Sequence, residues 1–220
     1  MMKRKVFLFR LLFLAVCLLM VCSMKGQPQA GTFSLTPKVG VNLSNTTNHQ
    51  YWGELCGGNG HSKTHRTDIK PGLTVGLDAD YMFTKKIGGS FGLAYSNEGF
   101  KLDEGYVHIT QTLNYLDLSA LAEFYVLDGF ALKSGIQYGI LLKANDGIDH
   151  GHRYIPENDL SDNKSYYHNN NISIPIAASY EYKNVILELR YNVGLSNISR
   201  YTDDYRTRSL WLTLGYKFEL

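Results

Sequence analysis

The chain has 220 residues, of which 44% are hydrophobic, 13% aromatic and 19% charged. This composition is too apolar and too aromatic for a disordered chain, and the length suits a single domain. Five of the 22 Lys and Arg residues fall within residues 1–25, so the rest of the chain carries 17 basic and 20 acidic side chains, a net charge of about −3. Such a mildly acidic body argues against nucleic acid as a partner.

The first 26 residues show the features of a secretory signal peptide in the usual order. Four of the first ten residues are Lys or Arg, residues 11–24 form an apolar run, and residues 25–29 are polar. The apolar run is shorter than the roughly 20 residues that a membrane-spanning helix needs, and an uncleaved anchor is the alternative. We therefore expect residues 1–26 to be a cleaved signal peptide and residues 27–220 to form one domain.

The remaining chain contains eight segments in which apolar and polar residues alternate. In the last of them Leu210, Leu212 and Leu214 alternate with Trp211 and Thr213. A period of two residues is that of a β-strand and not of a helix. In chain order, the predicted strands are residues 33–43, 73–83, 87–97, 115–125, 130–144, 172–182, 185–196 and 209–220.

A soluble β-sandwich and a membrane barrel would both show such alternation, and three further features favour the barrel. The predicted strands run to about ten residues, the length of a tilted membrane strand. Short turns at 84–86, 127–129 and 183–184 alternate with long polar connections at residues 45–69, 99–109, 145–171 and 199–208. Aromatic residues also gather on the apolar face beside the short turns, namely Phe33, Tyr81, Phe83, Phe124, Phe130, Tyr180, Tyr182, Tyr216 and Phe218.

Short turns at one rim, long loops at the other and an aromatic girdle are typical of outer-membrane barrels. A closed sheet also pairs every backbone group, as the bilayer requires. The sequence therefore predicts an all-β fold, an eight-stranded antiparallel up-and-down transmembrane β-barrel with its apolar face toward outer-membrane lipid. We expect both termini to be periplasmic and the long loops to be extracellular.

Three stretches resemble PorT-like outer-membrane β-barrel proteins of Bacteroidota, which are eight-stranded barrels of the OmpA/OmpX type. Phe33–Ser44 is similar to their first strand, Asn184–Ile198 to their penultimate strand and Leu214–Phe218 to their closing strand. The similar residues are strand-packing motifs, so the resemblance implies a barrel without specifying an activity. It also implies a second possible role, as an accessory subunit of an outer-membrane secretion or assembly machine.

The lumen-facing side of the predicted strands carries many charged residues. An eight-stranded barrel is only wide enough for side chains to fill it, and buried charges need partners. We therefore expect a paired, hydrogen-bonded plug in preference to an ion path or a catalytic cluster. The predicted polar network consists of Lys38, Asp78, Asp80, Glu98, Asp117, Glu123, Lys133, Lys143, Glu181, Glu188, Arg190, Lys217 and Glu219.

The predicted loops contain weak candidates for a metal site. Cys56, His61 and His65 have spacings that zinc or copper could use, and His150 and His152 could form a second cluster. Cys56 is also the sole cysteine of the predicted domain, which excludes an internal disulfide. No complete ligand pattern is present, so we expect no cofactor.

Loop aromatics are candidates for surface recognition, because aromatic side chains often anchor binding interfaces. The alternative is that they pack the loops against the rim. No nucleophile and base follow a recognisable spacing, so we expect no enzyme. The leading hypothesis is a self-standing barrel with a structural or surface-binding, adhesive role; its expected partners are outer-membrane lipid, the barrel-assembly machinery during insertion, and a surface ligand or envelope-complex proteins. The recognition candidates are Tyr51, Trp52, Tyr154, Tyr166 and Tyr167.

Overall fold

The computed structural model describes residues 29–47, 68–104, 107–149, 154–155, 164–200 and 205–220. The predicted signal peptide, residues 1–26, lies outside these residues. Within the described ranges, none of the helical structure is long and apolar enough to cross a membrane.

Ten β segments and one short 3₁₀ helix, Lys164–Tyr166, account for the regular structure of the described residues. Two of the β segments are only two residues long. β6 pairs with the last residues of β5, and β10 pairs with β1 next to the stretch of β1 that pairs with β9. The segments are β1 (Phe33–Thr46), β2 (Asp68–Met82), β3 (Ile87–Glu104), β4 (Val107–Leu127), β5 (Phe130–Asp149), β6 (Tyr154–Ile155), β7 (Asn170–Tyr182), β8 (Val185–Gly194), β9 (Thr207–Tyr216) and β10 (Phe218–Glu219).

The sheet closes on itself. Each long strand pairs antiparallel with the next along the chain, and the order ends with β8 beside β9. β9 then pairs with β1 over the span from Lys38, opposite Gly215, to Thr46, opposite Thr207. The prediction of an eight-stranded antiparallel up-and-down barrel is therefore confirmed.

The wall separates apolar residues outside from polar residues inside. On β9, Leu212 is 46% exposed on the outer face whereas Thr213 is 2% exposed in the lumen. The same alternation holds on β8, where Leu187 and Leu189 lie outside and Glu188 lies inside. This arrangement is the one expected of a membrane barrel, because its outer face contacts the hydrocarbon chains of the lipids.

The short-turn rim matches its prediction. The turn between β7 and β8 places Lys183 and Asn184 at φ 48° and 69°, the positive values of a type I′ hairpin turn. The nine predicted girdle aromatics all lie on the outer face and are at least partly exposed. Among them, Tyr216 and Phe218 have ring centroids 4.8 Å apart, so the girdle is packed as well as aligned.

At the other rim the strands are longer than predicted. Residues 99–109 were expected to be a loop, but β3 continues to Glu104 and β4 begins at Val107. β5 likewise continues to Asp149, into a region predicted as loop. Strand pairing beyond the apolar belt does not need an apolar outer face. The polar composition of these residues therefore gave no sign that the strands continue there.

Three prolines lie within the wall, at breaks in its hydrogen-bond ladders. Pro37 lies in β1 where the pairing to β9 ends at Lys38 and the pairing to β10 has not yet begun. Pro175 lies where the β5–β7 ladder is interrupted, and there Ser134 Oγ donates to the Pro175 carbonyl at 3.0 Å. Pro71 lies in the irregular stretch between β2 and β3. Since proline has no N–H to donate, each ladder omits a bond at that position.

Candidate functional site: a filled lumen

Glu188 on β8 is the centre of an ion-pair cluster that crosses the lumen. Its carboxylate lies 2.8 Å from Arg190 Nη2, 3.4 Å from Lys38 Nζ and 3.6 Å from Lys133 Nζ. Asp78 Oδ2 in turn lies 2.5 Å from Lys38 Nζ and 3.8 Å from Arg190 Nη2. These groups are buried and come from β1, β2, β5 and β8, so the cluster ties together strands from opposite sides of the barrel.

Two further ion pairs complete the short-turn half of the lumen. Lys133 Nζ also lies 2.6 Å from Glu123 Oε1. Lys217 Nζ donates to Glu181 Oε2 at 2.9 Å, and this pair lies at the rim, where Glu181 is half-buried. Because a buried charge is costly without a partner, the pairing of these four residues explains how the narrow interior accommodates them.

Arg190 connects this half of the lumen to the middle. Its guanidinium lies 5.6 Å from the centre of the Trp211 ring, a cation–π distance. Trp211 Nε1 donates to Glu98 Oε1 at 3.2 Å, and Ser209 Oγ donates to the same oxygen at 2.7 Å. A continuous chain of contacts therefore runs from Glu188 up to Glu98.

Asp117 on β4 is the second carboxylate of the middle layer. It accepts hydrogen bonds from Ser96 Oγ at 2.6 Å and from Gln137 Nε2 at 3.1 Å. The side chains in these contacts with the Glu98 and Asp117 carboxylates are neutral, in contrast to the lysines and the arginine that contact the carboxylates of the short-turn half.

An apolar cap fills the lumen at the long-loop end. Gln111 lies within it, donating to the hydroxyl of Tyr167 and accepting from Tyr205 Oη at 3.0 Å. Phe100 and Tyr205 meet edge to face, with ring centroids 6.2 Å apart. The cap brings three residues of the loop segments onto the strands, and its members are Phe100, Leu113, Tyr115, Leu141, Ala144, Tyr167, Ile198 and Tyr205.

The structure places eleven of the thirteen predicted network residues on the lumen side. The other two differ from the expectation. Lys143 is exposed on the outer face, because Leu142 is an extra residue in β5: Asn114 pairs with Lys143 and Tyr115 with Leu141. This β-bulge reverses the alternation, which the sequence does not reveal. Glu219 is exposed because its strand ends at the open rim.

The recognition candidates fall into three groups. Tyr51 and Trp52 lie outside the described residues, and Tyr154 is described only as part of β6. Tyr166 is 53% exposed beside the mouth of the barrel. Tyr167 is 6% exposed and belongs to the apolar cap, which agrees with the alternative that loop aromatics pack against the rim and not with a role in surface recognition. Its position is set by a bridge to Ser199 on the neighbouring loop segment.

The metal candidates Cys56, His61, His65, His150 and His152 all lie outside the described residues. Within the ranges that the structure does describe, no three His, Cys, Asp or Glu side chains are grouped so that they could hold a metal ion.

Several lumen residues were missed by the sequence analysis. Lys70 was assigned to neither a loop nor a strand, but it is buried in β2 and donates to Asn97 Oδ1 at 2.9 Å. Asn42 and Thr74 are buried and hydrogen-bonded to each other at 2.9 Å. Both lie on the polar face of predicted strands, so alternation could have found them had neutral side chains been considered. Lys70 precedes its predicted strand, but continuing the alternation backwards from Thr74 would have placed it on the lumen face, because residues two apart share a face.

Solved structures with a similar fold include three outer-membrane proteins, each at low sequence identity. Ail, the attachment invasion locus protein of Yersinia pestis, is 14% identical with a TM-score of 0.44, over 86% of this chain and 100% of that one. Neisserial surface protein A is 13% identical with a TM-score of 0.48, over 84% and 97%. OprG of Pseudomonas aeruginosa is 13% identical with a TM-score of 0.44, over 88% and 99%.

No curated protein matches the sequence. The family model of the outer membrane protein beta-barrel domain matches residues 26–200, which is most of the chain and of the eight-stranded wall described above. The match does not separate PorT-like proteins from other barrels of this type. The protein therefore belongs to the outer membrane protein beta-barrel domain family, whose members reside in the cell outer membrane.

Proposed function

We propose that this protein is a self-standing outer-membrane barrel with a sealed lumen, which presents its long loops at the cell surface in a structural or surface-binding role. The observation that carries the proposal is the contact of Glu188 with three cations from β1, β5 and β8 across the lumen. A barrel sealed in this way acts through its rim, its loops and its outer wall, and we propose no transport or catalytic role.

Two features of the long-loop rim support loop presentation. The apolar cap fixes Tyr167, Ile198 and Tyr205 against the strands, so the loops leave the barrel from a packed base. Beside it, Arg200 Nε donates to the Tyr167 carbonyl at 2.9 Å, and the Tyr166 ring is exposed. Tyrosine and arginine are among the side chains that dominate binding interfaces, so Tyr166 and Arg200 are the described residues that we assign to surface contact.

Electrical recording tests the sealed lumen. Purified protein in a planar lipid bilayer should show no steady conductance under conditions in which a water-filled porin conducts. We expect this result because the ion pairs and the apolar cap occupy the described part of the lumen. A steady, reproducible conductance by the wild-type protein would contradict the proposal.

Epitope insertion tests the presentation of the loops. A tag inserted after Gly58 should bind antibody on intact cells, whereas the same tag inserted after Lys85, in a short turn, should bind only after the membrane is permeabilised. The reverse pattern would show that the short turns face outward.

The role as an accessory subunit of a secretion or assembly machine, which the PorT-like resemblance implies, predicts a different result in native gels. A self-standing barrel extracted in mild detergent should instead give a compact band near the monomer mass that shifts on boiling, because the closed sheet stays folded in the gel until the sample is heated. A band of several hundred kilodaltons with co-migrating proteins would favour the accessory role instead.

A further inference from the structure

A small polar cavity lies inside the short-turn half of the lumen, beside the ion-pair cluster. Its lining includes Thr36, Lys38, Asp78, Asp80, Lys133 and Glu188. The space open to the centre of a water-sized sphere is about 10 Å³, which corresponds to roughly one water molecule. The residues that line this cavity are almost entirely buried.

Two of the lining residues, Asp78 and Asp80, each have one carboxylate oxygen to which no side chain in the described part of the chain donates. Asp78 Oδ2 contacts Lys38, and Asp80 Oδ2 accepts from Thr36 Oγ1 at 3.2 Å. Within the described part of the chain, however, Asp78 Oδ1 and Asp80 Oδ1 have no hydrogen-bond partner. Both aspartates are at least nine-tenths buried, so leaving these oxygens unsatisfied would be costly.

The lining also has donors to spare. An ammonium group carries three N–H donors. Lys38 directs two toward Asp78 and Glu188, and Lys133 contacts Glu123 and Glu188. Each of these two lysines contacts two carboxylates in the described part of the lumen and therefore has a third N–H available for another acceptor.

Only a small molecule that both donates and accepts satisfies such a lining. A cation would serve the two aspartates but would meet the ammonium groups of Lys38 and Lys133. An anion would serve the lysines but would meet the carboxylates. Water donates two hydrogen bonds and accepts others, and buried waters make about three such bonds.

We propose that this cavity binds one ordered water molecule, which donates to Asp78 Oδ1 and Asp80 Oδ1 and accepts from Lys38 or Lys133. The water joins the two aspartates of β2 to each other and to a lysine of β1 or β5. It satisfies two carboxylate oxygens of the plug that have no other hydrogen-bond partner in the described part of the chain. The site goes beyond the proposed function, because it does not depend on what the loops contact.

A crystal structure of the detergent-solubilised barrel, at a resolution that shows ordered solvent, tests the site directly. A single peak should lie within about 2.7–3.2 Å of both Asp78 Oδ1 and Asp80 Oδ1. No peak in this cavity, or direct contact of these oxygens with a lysine, would overturn the proposal. A peak at about 2.3–2.6 Å from several oxygens would indicate a metal ion and would also overturn it.

Water–amide nuclear Overhauser effects provide a second test in micelles. Wild-type protein should show cross-peaks from a long-lived water to amides near Asp78, and Asp80→Leu should lose them. The matched control Ser90→Ala changes a buried lumen hydroxyl outside the lining and should retain them. Loss of these cross-peaks in both variants, or in neither, would overturn the assignment. If Asp80→Leu does not fold, the wild-type spectrum is the test, and absence of the cross-peaks near Asp78 would overturn the proposal. Conductance by the wild-type protein would contradict the sealed lumen, whereas loss of the water cross-peaks would contradict the water site. The two proposals can therefore be tested independently.

Discussion

The two halves of the lumen are filled in different ways. In the short-turn half, strand residues of opposite charge face each other, and Glu188 alone contacts three cations. In the long-loop half, apolar side chains from β3, β4 and β5 are covered by residues of the loop segments such as Ile198 and Tyr205. The wall alone therefore closes one end, whereas the other end is closed only when the loops fold back onto it.

This difference predicts that substitutions in the two halves will have different consequences for stability. A broken ion pair leaves charges buried in the wall and should destabilise the whole barrel. A damaged cap should loosen the loops, since its apolar contacts are made at the end of the barrel.

The largest effect is expected at Glu188. Glu188→Gln keeps the shape of the side chain but removes the charge that Lys38, Lys133 and Arg190 share, so the free energy of unfolding should fall by about 3–5 kcal/mol. Urea unfolding in lipid vesicles measures this change. The control Glu219→Gln alters an exposed carboxylate at the rim and should leave the unfolding midpoint in place. Equal midpoints for both variants would show that Glu188 does not hold the cluster.

A comparable but more local effect is expected in the apolar cap. Ile198 is fully buried in the cap, so Ile198→Ala should cost about 2–5 kcal/mol of packing. Limited proteolysis should show faster cleavage within residues 195–206, while the strands stay protected. Leu195→Ala, at an exposed position of the same segment, is the control and should leave the cleavage rate unchanged. Protection of the segment in Ile198→Ala would mean that the cap does not hold the loops.

The outer wall surrounds both halves and should follow the depth rule of the bilayer. Leu212→Arg should cost about 2–4 kcal/mol if Leu212 lies near mid-bilayer, whereas Phe218→Arg at the rim should cost about 0–1 kcal/mol. Thr213→Arg, on the lumen side, should depart from this rule. Unfolding in vesicles measures all three variants, and equal tolerance at Leu212 and Thr213 would mean that the faces are assigned wrongly.

The smallest effect is expected at Lys143, which the β-bulge in β5 places on the outer face. Lys143→Gln should leave the unfolding midpoint unchanged, because Lys143 is exposed on the outer face. Lys133→Gln is the matched comparison, since Lys133 is buried against Glu123, and it should lower the midpoint clearly. If the two variants shift the midpoint equally, Lys143 faces the lumen after all.

Much of the wall was predictable because alternation is a local property. Residues two apart share a face of any strand, so Glu188 and Arg190 could be assigned to one face from the sequence alone. The girdle aromatics and the short turns were predictable for the same reason, since turn residues and rim aromatics adjoin each other in the chain. The chemistry of a narrow lumen then made a paired plug the expected arrangement.

What escaped prediction depends on partners that are distant in the sequence. Lys143 moves to the outer face because β5 holds one residue more than β4 between two paired positions, and only the register of both strands reveals this. Tyr167 is buried because Gln111, 56 residues earlier, and the other cap residues meet it at the mouth of the barrel.

The sequence by itself determined the eight strands of the apolar belt, their two faces outside the bulge of β5, and the closed all-β architecture. Each of these follows from the period of the pattern and from the need of every backbone group for a partner in lipid. Only the tertiary structure decided which lumen charges meet, that the strands continue beyond the apolar belt, and that loop residues fill the mouth. Those features are set by register and by closure of the sheet, which bring together residues that no local pattern connects.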